Sequence, residues 1–444
     1  MSFPRYPGCK DSGVEWLGKV PSHWEVRRLK RSCHVFPSNV DKKSHDGETP
    51  VFLCNYTDVY YNDTITSELE FMAASASPDQ IAKFTLRAGD TIVTKDSETA
   101  DDIAIASYVP ADLPGIVCGY HLSIIRPQPG TDGAFVKRLF DSVYAKSRFA
   151  VLANGLTRVG LGQYELDNVE LPFPPVREQT AIAGFLARET AKIDQLLAEQ
   201  QRLIELLKEK RQAVISQAVT RGLNPAAAVK QSGVKWIGDI PAHWGISRSR
   251  RMFAVRSEPA WASDRMLTAS QKHGVIYQAD FVEAEGRRVV EVIMGIESLK
   301  HVEPNDFIIS MRSFQGGIEW CRLRGSTSFH YVMLKPINGV HPPFFAYLFK
   351  SQTYIQALRA TTDLIRDGQE LRFSHFVQVD LPRVPMDEQV NIAAFLDRET
   401  AKLDGLTAEA QRAIVLLQER RTVLISAAVT GQIDVRGLVE SETA

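Results

Sequence analysis

The sequence predicts a mixed α/β protein in which two globular domains alternate with two long helices, the helices pairing as an antiparallel coiled coil about an internal pseudo-twofold axis. Three observations predict this. The stretch SGVEWLGKVPSHWEVRRLKR from Ser12 returns as SGVKWIGDIPAHWGISRSRR from Ser232. LPFPPVREQTAIAGFLARETAKIDQLL from Leu171 returns as LPRVPMDEQVNIAAFLDRETAKLDGLT from Leu381. After each of these second blocks, apolar residues recur at alternating intervals of four and three, the period of a coiled-coil seam. The two offsets, Ser12 to Ser232 and Leu171 to Leu381, are nearly equal, so one large unit is doubled in tandem. Solenoid and propeller repeats, at roughly 20–50 residues, are far shorter.

In chain order the first globular domain is expected over 1–170, a long helix over 171–222, a second domain over 223–380, a second long helix over 381–432 and a short tail over 433–444. Within the domains, VFLCNY from Val51, DTIVT from Asp90, HLSIIRP from His121, FIIS from Phe307 and HYVMLKP from His330 are aromatic and β-branched runs bounded by turn residues, hence strands. Short helices are expected around 135–152 and 343–358, where apolar residues recur three and four apart. AGDTIVTKDS from Ala88 aligns with PNDFIISMRS from Pro304, and GYHLSIIRP from Gly119 with SFHYVMLKP from Ser328. The domains thus share a skeleton and differ over much of the rest.

Each long helix opens with prolines and acids: Pro172, Pro174, Pro175 and Glu178, then Pro382, Pro385, Asp387 and Glu388. Proline before the first turn and carboxylate within it suit a helix N-terminus. Gly222 and Gly431 follow a shared Ala-Val-Thr and suit its C-terminus. A helix of about 40–45 residues spans about 60–70 Å, the length of a ruler between two domains. The seam is expected along Ile182, Leu186, Ile193, Leu196, Leu203 and Leu207 in the first helix, and along Ile392, Leu396, Leu403, Leu406, Leu417 and Leu424 in the second. Glu189 and Glu399, with Lys210 and Arg420, interrupt it with charge, either on the seam or drifting to its wet edge.

The chain has 444 residues, 44% of them hydrophobic, enough for buried cores. It holds no run of about 18 apolar residues and its start lacks a secretory pattern, so a soluble, cytoplasmic protein is expected. Five widely spread cysteines without a CxxC suit reduced thiols. A net charge of −1 is unpromising for a nucleic-acid binder, yet a basic cluster follows each first block: Arg27, Arg28, Lys30 and Arg31, then Arg248, Arg250 and Arg251.

A reactive centre is hard to find. HPPF at 341–344 is similar to the Pro-Pro-aromatic loop of amino-methyltransferases, but His341 replaces the hydrogen-bond acceptor that such a loop needs. No GxxxxGK[ST] loop is present, and GLGQYE from Gly160 follows no expected strand. His23, His243, His121 and His330 lack ligands at metal spacing, so no metal site is expected. Trp16, Trp236, Trp24 and Trp244 are expected to anchor domain corners.

What remains is recognition, and here the residues resemble a known family. WLGKVPSHWEVRRLK with WIGDIPAHWGISRSR, PPVREQTAIAGFLARET with VPMDEQVNIAAFLDRET, and DFIISMRSFQGGI from Asp306 are similar to the specificity subunits of type I restriction-modification systems, over essentially the whole chain. That resemblance implies a non-catalytic DNA-specificity subunit with two target recognition domains, each reading one half of a bipartite double-stranded site. It implies helices that set the spacer and bind two modification (methyltransferase) subunits, with restriction subunits in the full complex. No cofactor is expected in this chain. S-adenosylmethionine, ATP and Mg would be used by the partner subunits. The basic clusters would contact phosphate. Base readout would fall to Lys95, Ser97 and Thr99 in the first domain and Arg312, Ser313 and Gln315 in the second, with Arg158 and Arg366 as further candidates. The competing readings are a coiled-coil scaffold that holds protein partners on two binding modules, from which salt-dependent DNA affinity separates the DNA-specificity reading, and a self-contained methyltransferase or nuclease, distinguished by cofactor binding or cleavage by the chain alone.

Overall fold

The structure is a computed structural model that describes residues 3–286, 299–310, 313–361 and 371–439. It divides into two compact units, one of Met1–Gln200 with Arg412–Ala444 and the other of Gln201–Gln411. These units cut across the linear division read from the sequence. Each holds one globular domain, the beginning of the helix that follows that domain, and the end of the other long helix.

The long helices are Val176–Arg221, 46 residues, and Met386–Val429, 44 residues. In the first unit the start of one helix packs on the end of the other, with Ile182, Leu186 and Ile193 in one core with Leu424, Ile425 and Ala428. In the second unit Ile215, Ala218 and Val219 share a core with Ile392, Ala393 and Leu396. The pairing is antiparallel in both.

The seam differs from the expected one in phase. Leu196, Leu203 and Leu406 are exposed, and Leu417 is only partly buried. Thr190, Ile204 and Thr400 are buried instead, one residue later than Glu189, Leu203 and Glu399. The intervals after Leu186 are four then three, where the expected seam took three then four. Threonine can take the seam because its hydroxyl is satisfied inside its own helix: Thr190 Oγ1 donates to the Leu186 carbonyl and Thr400 Oγ1 to that of Leu396, both at 2.7 Å. Glu189 and Glu399 therefore reach the edge of the stripe. Beside it, Arg421 pairs with Asp194 and Arg211 with Asp404, each at 3.1 Å.

Each globular domain is built on the same four-stranded antiparallel sheet. In the first unit the order is Ala106–Tyr108, Thr91–Thr94, Leu122–Pro127, Cys33–Pro37. In the second it is Glu319–Trp320, Phe307–Ile309, Val332–Pro336, Phe253–Arg256. A buried aspartate precedes the second strand of each order. Asp90 is clasped by Arg126 at 2.7 and 2.8 Å, and Asp306 by Arg256 at 2.6 and 3.1 Å. The arginine thus arrives from a different strand in each unit. Before each aspartate the chain turns through positive φ, at Gly89 (91°) and Asn305 (77°). Asparagine is among the few side chains that tolerate that region.

The regions expected to be helical each form two helices, Gly133–Asp141 with Val143–Leu152, and Pro342–Lys350 with Gln352–Arg359. Ser142 and Ser351 make the break. Their hydroxyls accept from the N–H of Ala145 and Tyr354 and so cap the second helix.

The domains differ in what covers the shared sheet. The first adds a four-stranded sheet, Met72–Ala76, Thr49–Cys54, Leu113–Cys118 and Thr85–Leu86, which contributes Val51, Leu53, Leu86 and Val117 to a second core. The second has, among the described residues, the hairpin Leu267–Ser270/Gly274–Tyr277 and the pair Lys300–Val302/Gly325–Thr327 around a small core. All five cysteines are free thiols.

Candidate nucleic-acid interface

The repeated blocks meet at one corner in each unit. The Glu-Gln pair of each helix start explains why they recur together. Glu178 lies in the first turn of its helix and is buried. It accepts hydrogen bonds from the Trp24 indole at 3.0 Å and the Tyr6 hydroxyl at 2.5 Å, and contacts His23 Nε2 at 2.8 Å. Burial and this carboxylate push the Tyr6 phenol well up. In the second unit Glu388 accepts from the Trp244 indole at 3.1 Å and contacts His243 Nε2 at 2.5 Å. A carboxylate at a helix N-terminus also faces the positive end of the helix dipole.

The following glutamine ties the helix start to the domain. Gln179 donates to the Pro174 carbonyl at 2.8 Å and accepts from the Asp132 N–H at 2.8 Å. Gln389 donates to the Val384 carbonyl at 2.9 Å and accepts from the His341 N–H at 2.8 Å. His341 of the HPPF motif thus stands just before a helix that begins at Pro342. Its imidazole is lowered by burial. Each corner also receives the end of the other long helix. Gly222 (φ 72°) approaches Trp244, and Gly431 (φ 75°) packs so closely that a Cβ would stand 2.2 Å from Pro21.

The basic clusters emerge beside these corners. Strand Glu25–Arg28 pairs with Glu170–Phe173, the strand that leads into the helix, and a short 3₁₀ turn Leu29–Arg31 follows. Arg28, Lys30 and Arg31 are exposed, whereas Arg27 lies half-buried over the Phe173 ring at 4.8 Å. The second unit repeats this arrangement with strand Gly245–Ser247 and turn Ser249–Arg251, and Arg248, Arg250 and Arg251 are exposed.

The readout candidates separate. Ser97 is buried in the short strand Asp96–Ser97, and Ser313 is buried with its hydroxyl accepting from the Ser310 N–H at 2.8 Å. Burial places both in the domain interior. Thr99 is exposed, and Gln315 is exposed at a cavity of about 620 Å³ that Trp320, Tyr347 and Lys350 also line. Arg312 and Arg366 lie outside the described residues. Lys95 donates to the Ser38 carbonyl at 3.3 Å and stands 5.2 Å from the Tyr120 ring centre.

Around Lys95 the structure gathers groups that are far apart in sequence. Strand Val159–Gly160 pairs with Asp96–Ser97, which brings Arg158 to Asp96 at 3.1 Å, while His121 Nδ1 meets the other oxygen of Asp96 at 2.5 Å. In the second unit, three arginines lie over aromatic rings: Arg265 on Tyr277 at 3.6 Å, Arg322 on Trp320 at 4.3 Å and Arg324 on Trp261 at 5.5 Å. Sequence reasoning missed these pairs because Arg265 with Tyr277 and Arg324 with Trp261 meet only across the fold. Nearby, His301 is fully buried between Asp264 at 2.7 Å and Glu303 at 3.0 Å, under the Trp261 ring. Burial lowers its basicity, but the two carboxylates outweigh that and leave its pKa raised.

No family model matches the chain. It is 20% identical over 432 residues to a Methanocaldococcus jannaschii protein described, provisionally, as the type I restriction enzyme MjaX specificity subunit, covering 95% of this chain and 96% of that one. Among solved structures it is similar to the HsdS subunit from Thermoanaerobacter tengcongensis, with a TM-score of 0.54 and 15% identity over 95% of this chain and 100% of that one. A chain from a study of complex assembly and conformational transition of the type I R-M system gives a TM-score of 0.63 and 16% identity over 92% and 98%. The chain is thus similar, in sequence and in fold, to type I specificity subunits. The likeness covers 92–95% of the chain, so both doubled corners lie within it. Among the described residues, no helix is long and apolar enough to cross a membrane.

Proposed function

We propose that this protein is the specificity subunit, the sequence reader, of a type I restriction-modification complex and catalyses nothing itself. Each globular domain reads one half of a bipartite duplex site. The long helices set the spacer between the halves and carry two modification subunits, with restriction subunits joining the full assembly. The observation that carries this reading is the contrast between frame and cover. The Trp-Glu corner, the Gln tie and the four-stranded sheet recur in both units, while the layers over the sheet differ. A duplicated frame with two unlike surfaces suits a target with two unlike halves. Phosphate contacts would come from Arg28, Lys30, Arg31, Arg248, Arg250 and Arg251, which position the duplex without reading it.

The test is the methylated motif of the host genome, mapped with and without this chain. A two-part motif that vanishes with the chain supports the proposal. Methylation that is unchanged by its loss overturns it.

A further inference from the structure

We propose that Arg158 reads a guanine in the half-site of the first domain, held in position by Asp96 and His121. The inference rests on the DNA-reading function proposed above.

Arg158 stands on a loop that is fixed at its base. The N–H of Asn154 donates to the Gly160 carbonyl at 3.0 Å, and the N–H of Gly160 returns a bond to Asn154 at 2.8 Å. The Val159–Gly160 strand is paired with Asp96–Ser97, and the Leu161 N–H bonds the Lys95 carbonyl at 2.8 Å. Gly155 adopts a φ of 151°, and a Cβ there would fall 1.9 Å from the Arg158 carbonyl oxygen. The loop can therefore close only around glycine.

The guanidinium projects from this loop with 56% of its side chain exposed, and its Nη2 bonds Asp96 Oδ1 at 3.1 Å. Asp96 is itself held, because Oδ2 meets His121 Nδ1 at 2.5 Å. A guanidinium has five donors in a rigid fork, so the bond to Asp96 engages one side and leaves other donors facing solvent. Two parallel donors match O6 and N7 of guanine, the commonest specific contact in the major groove. An unbraced arginine must lose rotamer freedom on binding, whereas here a carboxylate, fixed from behind by an imidazole, has already ordered it. A phosphate contact needs no such brace. Carboxylate beside a phosphate is repulsive, which favours a base edge as the partner of this arginine. Leu156, fully exposed at the tip of the same loop, adds an apolar group suited to a thymine methyl beside that guanine.

Asp96 and His121 are positioning residues, and their test must read position in the motif rather than overall affinity. The complex of the full chain with its modification subunits is used to select binders from a random duplex library, for the wild type, Arg158→Ala, Arg158→Lys and Asp96→Asn. The expected result for Arg158→Ala is loss of one guanine preference in one half-site, by about 10- to 100-fold, with the other half-site unchanged. Asp96→Asn should weaken preference at that same base pair and no other, and Arg158→Lys should keep only part of it. Thermal melting of each variant confirms folding, and Arg158→Lys, which keeps charge and length, carries the test if the alanine variant fails to fold. A motif unchanged in Arg158→Ala overturns the assignment, as does equal weakening across all sequences, which would mark a phosphate contact. Failure of the wild type to select any two-part motif would instead overturn the DNA-reading proposal itself.

Discussion

Glu178 shows how much one side chain carries at the corner. Its carboxylate is the acceptor for the buried Trp24 indole and the Tyr6 hydroxyl. Replacing it by alanine strands both donors away from water, at about 1–3 kcal/mol each. We expect Glu178→Ala to cost about 2–5 kcal/mol, read as a fall in urea midpoint, and Glu178→Gln to cost less because one oxygen remains to accept. Equal stability of wild type and Glu178→Ala would show that water reaches the corner. His301 makes the complementary case for pH. Its folded pKa is raised by Asp264 and Glu303, so its contribution is full below the unfolded value of about 6.5 and is lost as pH rises through the folded value. Denaturant midpoints for wild type should therefore fall between pH 6 and pH 9 by more than those of His301→Gln. Identical pH profiles for the two proteins would remove the carboxylate cage as the cause.

At the scale of the element, the long helices were legible in outline and misjudged in phase. Prolines, a first-turn acid and a terminal glycine marked both ends, because the unsatisfied backbone groups there demand particular residue types. The seam was harder. Leucine recurs on several faces of these helices, so Leu196, Leu203 and Leu406 fitted a four-three rhythm as well as the residues actually buried. The buried phase includes Thr190 and Thr400, whose hydroxyls look polar in sequence and are silenced by their own helix backbone. If the helices set the spacer, inserting seven residues after Lys210 and seven after Arg420 adds a heptad to each and keeps the seam in phase. Each helix gains about 10 Å, so the preferred spacer should grow by about three base pairs with both half-sites unchanged. A change in either half-site would assign sequence reading to the helices and contradict the division of labour.

For the whole molecule, the net charge of −1 conceals two exposed basic turns set at equivalent corners. Binding to the specific duplex should weaken steeply with salt, and the double substitution Arg250→Ala/Arg251→Ala should reduce the slope of log K against log salt by about 2. An unaltered slope would place that turn off the DNA. The sequence by itself determined the doubled architecture, the helix ends and the resemblance to type I specificity subunits, since these rest on local residue patterns repeated in two copies. Tertiary structure decided which polar groups reach solvent and which meet one another. Ser97 and Ser313 looked like readers and are buried, while Arg158, Asp96 and His121 become one unit only when the strands Asp96–Ser97 and Val159–Gly160 pair. Strand pairing joins residues by register rather than by chain distance, and no spacing along the chain records it.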